Sequence, residues 1–133
     1  MVEGDVGAAR LAGARVLVAE DEFVIALEIE AALREFGCLV LGPTASVADT
    51  LDLLTRERPD AALIDVELRD GPATAVVEAC AARGVPFALA TGYDGDGLRA
   101  PALAPSPRLA KPFGVGDLRR VLAALLASRA DEP

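Results

Sequence analysis

Short apolar runs alternate along the chain with longer segments whose apolar residues recur every three or four positions. Each short run has the length of a strand that is buried on both faces, as in the middle of a parallel sheet. These runs predict strands at about residues 15–19, 38–41, 61–65, 87–90 and 108–110. The longer segments have the period of a helix with one apolar face. They predict helices at about residues 23–36, 47–58, 73–83 and 115–128.

Turn and capping residues indicate where several of these elements end. Gly37 follows the first helix, at a position where glycine commonly adopts a left-handed conformation. Ser46, with Asp49 three positions later, has the pattern of a helix N-cap. Gly42-Pro43 is expected to stop the second strand, because this pair is typical of turns.

Strand and helix follow one another repeatedly, which predicts a single α/β domain. Right-handed crossovers give a doubly wound five-stranded parallel sheet, in the order 2-1-3-4-5, with helices on both faces. The polar residues 67–72 are expected to form a turn-prone loop, and at most a short helix near 98–103 fits within 93–107. We expect a flexible tail at residues 1–13, the folded domain at 14–129 and a C-terminal tail at 130–133.

Composition excludes several classes of function. The 133 residues carry a net charge of −8, which argues against a nucleic-acid partner because the nucleic-acid backbone is contacted mainly by Lys and Arg. Histidine is absent, which excludes His-based metal sites and Ser-His or Cys-His catalysis in this chain. Cys38 and Cys80 lie in apolar contexts and are interpreted as buried reduced thiols. The sequence shows neither an apolar run of transmembrane length nor a signal peptide, so we expect a cytoplasmic protein without a membrane partner.

Polar residues with complementary chemistry follow four of the predicted strands. Glu20 and Asp21 come after the first strand, Asp65 ends the third, Thr91 follows the fourth and Lys111 follows the fifth. Because the carboxyl ends of parallel strands meet at one edge of a sheet, we expect these groups to lie together. Clustered carboxylates attract Mg²⁺, which prefers oxygen ligands and often shares phosphate oxygens. A carboxylate beside Mg²⁺ can attack a phosphoryl group, whose charge a lysine would stabilise.

The same positions resemble the signature of the response-regulator receiver domain, over about residues 15–129. The residues that carry the resemblance are Glu20-Asp21, Asp65, Thr91 and Lys111-Pro112-Phe113. The resemblance implies a flavodoxin-like receiver fold and two-component phosphorelay signalling. It implies that Asp65 is the phospho-acceptor and that the partner is a histidine kinase or a phosphotransfer protein. Receivers catalyse only their own phosphorylation and dephosphorylation, so we do not expect an enzyme that acts on an external substrate.

The resemblance also implies how the metal ion is held. Asp21 and Asp65 would bind Mg²⁺ directly, and Glu20 would act largely through water. Glu67 would offer its backbone carbonyl to the ion. The expected cofactor is therefore magnesium.

The switch residues follow the receiver pattern only in part. Thr91 would move toward the phosphoryl group, and Lys111 would pair with the phosphoryl group. The bond between Lys111 and Pro112 would be cis. Many receivers carry an aromatic switch residue three positions before this lysine, but the residue here is Arg108. Arg108 and Tyr93 are candidate positions of a signalling surface.

A subfamily is also indicated. Residues 86–93 read PFALATGY and resemble the PFxFATG(G/Y) motif of the FAT GUY receivers, with Leu89 in place of the second Phe. That subfamily consists mostly of single-domain regulators that work with HWE or related kinases, and the end of the chain at Pro133 agrees with it. The resemblance places the docking surface on the first helix and the loop after the fifth strand. Because residues 92–107 are rich in Gly and Pro, we hypothesise that phosphorylation orders them.

Two other classes of function remain open. The chain could be a receiver-fold interaction module that acts without phosphorylation, although a scaffold has no need of three clustered carboxylates and a lysine. It could also be a Mg²⁺-dependent phosphatase or phosphotransferase with Asp65 as nucleophile and Glu67, two residues later, as general acid. So short a chain has no inserted substrate-binding domain. A flavin-binding fold would need a Ser/Thr-rich phosphate loop after the first strand, and the sequence lacks one.

Overall fold

A parallel sheet runs through the computed structural model, which describes residues 11–92 and 107–130. The strands are β1 (Arg15–Ala19), β2 (Leu39–Thr44), β3 (Ala61–Asp65), β4 (Glu67–Leu68), β5 (Gly71–Pro72), β6 (Phe87–Thr91) and β7 (Arg108–Ala110). The helices are α1 (Phe23–Glu35), α2 (Val47–Arg56), α3 (Thr74–Ala82) and α4 (Val115–Ala130). The sheet has the order β2-β1-β3-β6-β7. Since β4 and β5 pair separately, this is the predicted order 2-1-3-4-5 of a flavodoxin-like fold.

Helices cover both faces of the sheet. Alternate residues of a strand point to opposite faces, so Val16 and Val18 of β1 pack with α1 and α4, whereas Leu17 and Ala19 pack with α2 and α3. Each face therefore has its own hydrophobic core. The edge at which the strands end is left for polar side chains.

The two cysteines are buried free thiols, one in each core, as predicted. Burial raises the pKa of the Cys38 thiol, and it raises the pKa of Cys80 to about 12. The thiolate is the reactive form of cysteine. Both side chains therefore serve packing.

The second strand runs through Gly42-Pro43 instead of ending there, so the prediction of a stop at this pair is wrong. β2 is an edge strand, where a proline is tolerated because its missing N–H is not needed for pairing. Gly42 has a φ of +97°, and a register shift follows, after which Ala19 pairs with Thr44. The Gly-Pro pair thus produces a bulge within the strand.

Gly42→Ala is expected to lower the free energy of unfolding by about 2 kcal/mol, through left-handed strain and overpacking. An added Cβ would lie 2.9 Å from both Thr44 N and Val18 O. Gly84→Ala is the matched control, because Gly84 has a φ of +71° but an added Cβ would meet nothing within 4 Å. Strain alone should cost the control about 1 kcal/mol. Urea titrations followed by circular dichroism measure both losses, and equal losses would contradict the close approach at Gly42.

Residues 67–72, predicted as a turn-prone loop, form a short hairpin of β4 and β5 around that turn. Strands of two residues leave no period in a sequence, which is why the pattern did not indicate them. Asp70 in the turn accepts a hydrogen bond from Val47 N at 2.6 Å, and this bond lowers the pKa of Asp70. Ser46 Oγ accepts from Asp49 N at 3.0 Å, as predicted. The hairpin and Ser46 therefore share the capping of α2.

The N-terminal boundary of the folded domain lies earlier than predicted. Leu11 is 0% exposed and belongs to the core between α1 and α4. Gly13 N–H donates to Gly37 O at 2.8 Å, and Gly37 has the left-handed conformation expected of it, with a φ of +90°. Residues 11–13 are therefore part of the folded domain, and their assignment to a tail is wrong. So short a contact has no period that a sequence pattern could show.

Three segments lie outside the described residues: 1–10, 93–106 and 131–133. The short helix predicted near 98–103 lies in the second of them, as does most of the segment that phosphorylation is hypothesised to order. α4 continues to Ala130, one residue beyond the predicted end of the domain. In the ranges 11–92 and 107–130, each helix is too short or too polar to cross a membrane.

Candidate functional site

The side chains predicted to meet at the ends of the strands lie together. Asp65 ends β3, where its Cα pairs with Ala90 of β6, and Glu20 and Asp21 follow β1 directly. Glu20 N–H donates to Thr44 O at 2.8 Å, which fixes the start of the acidic run to the bulged strand β2. Carboxylate oxygens of Glu20, Asp21 and Asp65 lie within 4.8 Å of one another.

Lys111 supplies a positive charge to this cluster. It follows β7, and its backbone N–H donates to Thr91 O at 2.9 Å. Its Nζ lies 2.8 Å from Asp65 Oδ2, 2.9 Å from Glu20 Oε1 and 3.5 Å from Glu22 Oε1. The side chain of Lys111 is 11% exposed, that of Asp65 7% and that of Glu20 1%. The ion pairs of Lys111 with Asp65 and with Glu20 are shielded from water, so the attraction between their charges is stronger than in a surface pair.

Backbone N–H groups orient the two buried carboxylates. Glu67 N–H donates to Asp65 Oδ1 at 3.0 Å, and Glu22 N–H donates to Glu20 Oε2 at 3.1 Å. Asp65 thus has one oxygen on the ammonium of Lys111 and the other on the backbone of β4. A carboxylate held in this way is oriented before any reacting group arrives.

Burial and mutual repulsion oppose the ionisation of the carboxyl groups. Burial raises the pKa of Glu20 to about 7, Asp65 adds to the rise, and Lys111 opposes it. Burial and the negative charge of Asp65 also raise the pKa of Asp21. Burial alone would lower the pKa of Lys111, but its interactions with the nearby carboxylates of Asp65 and Glu20 raise that pKa above its usual value. The single ammonium of Lys111 therefore does not offset the combined effect of burial and of the repulsion among the carboxylates.

The donor set suits a hard divalent cation. Glu20 Oε1 is buried and, across residues 11–92 and 107–130, has no hydrogen-bond donor, since Lys111 Nζ approaches it as an ion pair without hydrogen-bond geometry. A cation would satisfy this oxygen and relieve the repulsion among the carboxylates. Glu20, Asp21 and Asp65 are thus the side chains that would hold Mg²⁺. Ligation by the backbone carbonyl of Glu67 stays a prediction.

Mg²⁺ binding is expected to weaken as the pH falls below about 7, because a protonated Glu20 is a poor ligand. Without Mg²⁺ the effect on stability has the opposite sign. The folded pKa of Glu20 lies above its ordinary value of 4.5, so its stabilising contribution is present below about 4.5 and is lost as the pH rises toward 7. The rise in melting temperature at saturating Mg²⁺ should therefore be larger at pH 8 than at pH 6.

Glu20→Gln is the control for this pH dependence, since the amide does not titrate in this range. The variant should show a weaker Mg²⁺ effect that changes less between pH 6 and pH 8. An Mg²⁺ effect that is equal at both pH values in the wild-type protein would contradict the assignment of Glu20 to the ion site.

The remaining predicted residues occupy different surroundings. Thr91 is buried at the end of β6, and Arg108 is exposed on the edge strand β7. Tyr93 lies outside the described residues. The bond between Lys111 and Pro112 is cis, as expected. The structure thus brings Thr91 and Lys111 to the acidic edge and leaves Arg108 on the surface.

Glu22 is a member of the site that the sequence analysis missed. Its carboxylate lies 3.5 Å from Lys111 Nζ, and its side chain is 62% exposed. The third acid of the run Glu20-Asp21-Glu22 was the available signal. This signal is weak, because acids are common before a helix for reasons of the helix dipole alone.

A groove beside Lys111 adjoins the acidic edge. Its volume is about 420 Å³, and it lies between α1 and the segment that leads from β7 into α4. Its walls include Ile25, Glu28, Ala32, Pro112 and Leu118. Three apolar side chains of α1 are also exposed, Phe23 at 74%, Val24 at 66% and Leu27 at 48%. This apolar surface coincides with the docking surface that the resemblance implies.

Comparison with known proteins places this site in a family context, although no family model matches the chain. The transcriptional regulatory protein PdtaR of Mycobacterium tuberculosis is 32% identical over 108 residues, which cover 78% of this chain and 52% of PdtaR. SdrG of Sphingomonas melonis Fr1 is 37% identical, with a TM-score of 0.76 and coverage of 86% of this chain and 97% of SdrG. The chain spans about half the length of the curated relatives it matches.

A receiver domain is among the similar solved structures. The receiver domain of the response regulator PhyR from Erythrobacter litoralis is 25% identical, with a TM-score of 0.76 and coverage of 92% of this chain and 96% of that domain. This TM-score shows that the two chains share the receiver fold. The chain belongs to the response-regulator receiver family.

Proposed function

We propose that this chain is a phospho-receiver of a two-component pathway and that Asp65 accepts the phosphoryl group. The observation that carries the proposal is the position of Asp65 Oδ2, 2.8 Å from Lys111 Nζ, with Glu20 and Asp21 at the same strand edge. A structural salt bridge needs one acid for one base. The additional carboxylates serve a metal ion, and with Lys111 they form a site for a group rich in negative charge.

The residues of the chain divide the chemistry of transfer among them. An oxygen of Asp65 forms a bond to phosphorus while the bond from phosphorus to the donor nitrogen breaks, and its electron pair stays on that nitrogen. Lys111 stabilises the charge of the transferring oxygens, and the Glu67 N–H, now bound to Asp65 Oδ1, orients the acceptor. Mg²⁺, when bound, neutralises phosphoryl charge. Thr91 moves toward the phosphoryl group on Asp65. The domain later hydrolyses this aspartyl phosphate, and it turns over no external substrate.

The partner that delivers the phosphoryl group is proposed to dock on α1 and the adjoining groove. The exposed Phe23, Val24 and Leu27 provide an apolar patch, and the groove opens beside Lys111. A helix of a histidine kinase or phosphotransfer protein could lie against this surface with its phosphohistidine at Asp65. The motif at residues 86–93 supports a FAT GUY receiver and a kinase of the HWE type. A cytoplasmic location is proposed together with them.

Two alternative functions have less support. An interaction module that acts without phosphorylation could use the apolar surface of α1, but it would not need the excess of carboxylates around Lys111. A phosphatase with Glu67 as general acid is not favoured, because Glu67 is exposed and engages Asp65 through its backbone N–H.

The proposal is tested by intact-mass spectrometry after incubation with acetyl phosphate or phosphoramidate, with and without Mg²⁺. We expect a single phosphoryl adduct that requires Mg²⁺ and maps to Asp65 after borohydride reduction and peptide digestion. Beryllofluoride, which mimics a phosphoryl group without transfer chemistry, should raise the melting temperature in the presence of Mg²⁺. A folded protein that takes neither the adduct nor beryllofluoride would overturn the proposal.

A further inference from the structure

Glu22 directs its carboxylate at the reacting edge instead of at its own helix. It is the N-cap residue of α1, with φ −85° and ψ 112°, yet its side chain makes no capping hydrogen bond. An Asp at this position ordinarily accepts a hydrogen bond from a backbone N–H of the first turn, whereas Glu is not a preferred capping residue. Here Glu22 Oε1 lies 3.5 Å from Lys111 Nζ. Its charge therefore acts on the site.

Three carboxylates share the ammonium of Lys111, and they differ in their access to water. Asp65 and Glu20 are the inner partners, with side chains 7% and 1% exposed, whereas Glu22 is 62% exposed. Glu22 is thus the solvent-side partner of the lysine. A phosphoryl donor from solution that pairs with Lys111 meets this exposed negative charge 3.5 Å from the ammonium.

We propose that Glu22 is a specificity-determining residue that slows phosphorylation by small, doubly charged phosphodonors and so favours transfer from a docked protein phosphohistidine. This inference rests on the proposed function above. A docked partner gains binding energy from surfaces remote from the reacting atoms, and that energy offsets the repulsion. A free acyl phosphate has no such contacts. In its reaction the Asp65 oxygen bonds to phosphorus, and the carboxylate of the donor leaves with the electron pair of the broken P–O bond.

The test compares Glu22→Gln, Glu22→Asp and Glu78→Gln with the wild-type protein at saturating Mg²⁺, so that changes in ion affinity do not affect the rate. Glu78 is exposed on α3, on the other face of the sheet, and its replacement changes the net charge equally. Rates of adduct formation are measured with acetyl phosphate, a dianion at neutral pH, and with phosphoramidate, mostly a monoanion. Each is measured at low and at high ionic strength.

Glu22→Gln is expected to speed the acetyl phosphate reaction by about three- to tenfold at low salt, and by less than about twofold at 0.5 M salt, where the Debye length is only a few ångströms. The gain with phosphoramidate should be smaller. Glu22→Asp should keep a rate close to that of the wild type, and Glu78→Gln should match the wild type. Melting temperatures of Glu22→Gln and Glu78→Gln should agree with that of the wild type, because Glu22 makes no capping bond.

Equal acetyl phosphate rates for Glu22→Gln and Glu78→Gln would overturn this inference while leaving the proposed function intact. So would a gain that is independent of salt and of donor charge, since it would indicate a structural effect. If neither the wild type nor Glu22→Gln forms an adduct, the inference fails. If both then also fail to bind beryllofluoride, the proposed function fails with it.

Discussion

Asp65→Asn is expected to abolish the Mg²⁺-dependent phosphoryl adduct, because an amide oxygen is a far weaker nucleophile and metal ligand than a carboxylate oxygen. The pKa of Glu20 and that of Asp21 are raised by burial and further by Asp65, and the same change removes the charge of Asp65. Lys111 keeps its ion pair with Glu20. Without Mg²⁺ the variant should therefore melt at the same temperature as the wild type or above it. Mg²⁺ should raise its melting temperature far less.

Asp52→Asn is the matched control for the acceptor. Asp52 lies on α2, where it forms an exposed ion pair with Arg56, and its replacement changes the net charge equally. This variant should form the adduct at the wild-type rate. An adduct that persists in Asp65→Asn would show that another residue is the acceptor. A clear loss of stability in that variant would show that the Lys111 pair outweighs the repulsion among the carboxylates.

If Asp65→Asn is more stable than the wild type, the arrangement that binds the metal ion destabilises the protein without the ion. Asp65 must stay ionised and close to Glu20 and Asp21 to bind a metal ion, but in the apo protein those charges repel one another. Packing of β1 and β3 in the middle of the sheet holds the groups together against this repulsion. Active sites commonly reduce stability for this reason.

The candidate site could be predicted from the sequence because its parts lie at the ends of strands. Asp65, Thr91 and Lys111 each come at the end of an apolar run. A parallel sheet brings the ends of such runs to one edge, independently of how the helices pack. The central strands β1, β3 and β6 were predictable because each is a short run of mostly buried apolar residues. The Ser46 cap also followed from local chemistry, because its hydrogen bond spans only three residues.

Features that depend on contacts distant in the sequence could not be predicted. The pairing of Glu22 with Lys111 joins residues 89 positions apart and depends on the direction in which an N-cap side chain turns. Continuation of β2 through Gly42 depends on its place at the edge of the sheet, which no local pattern shows. Glu22 before a helix and Gly42 before a proline are both common in sequences, and their structural roles here are set by neighbours that are distant in the sequence.

Leu11→Ala is expected to lower the free energy of unfolding by about 3 kcal/mol, the loss typical of a large aliphatic side chain truncated in a core. Leu11 is 0% exposed and lies in the same core as Leu33 and Cys38, and its carbonyl lies 3.4 Å from Cys38 Sγ. Local collapse is limited here because the Gly13 N–H to Gly37 O bond fixes the segment beside the end of α1. Urea titration followed by circular dichroism measures the loss.

Leu39→Ala is the matched control, because Leu39 lies on the edge strand β2 with 57% of its surface exposed. It should cost less than about 1 kcal/mol. The folded fraction of Leu11→Ala should still form the Asp65 adduct, since Leu11 precedes the start of β1 and the acceptor edge follows its end. Similar losses for the two variants would mean that residues 11–13 do not pack on the domain in solution, and the boundary first predicted at residue 14 would then be correct.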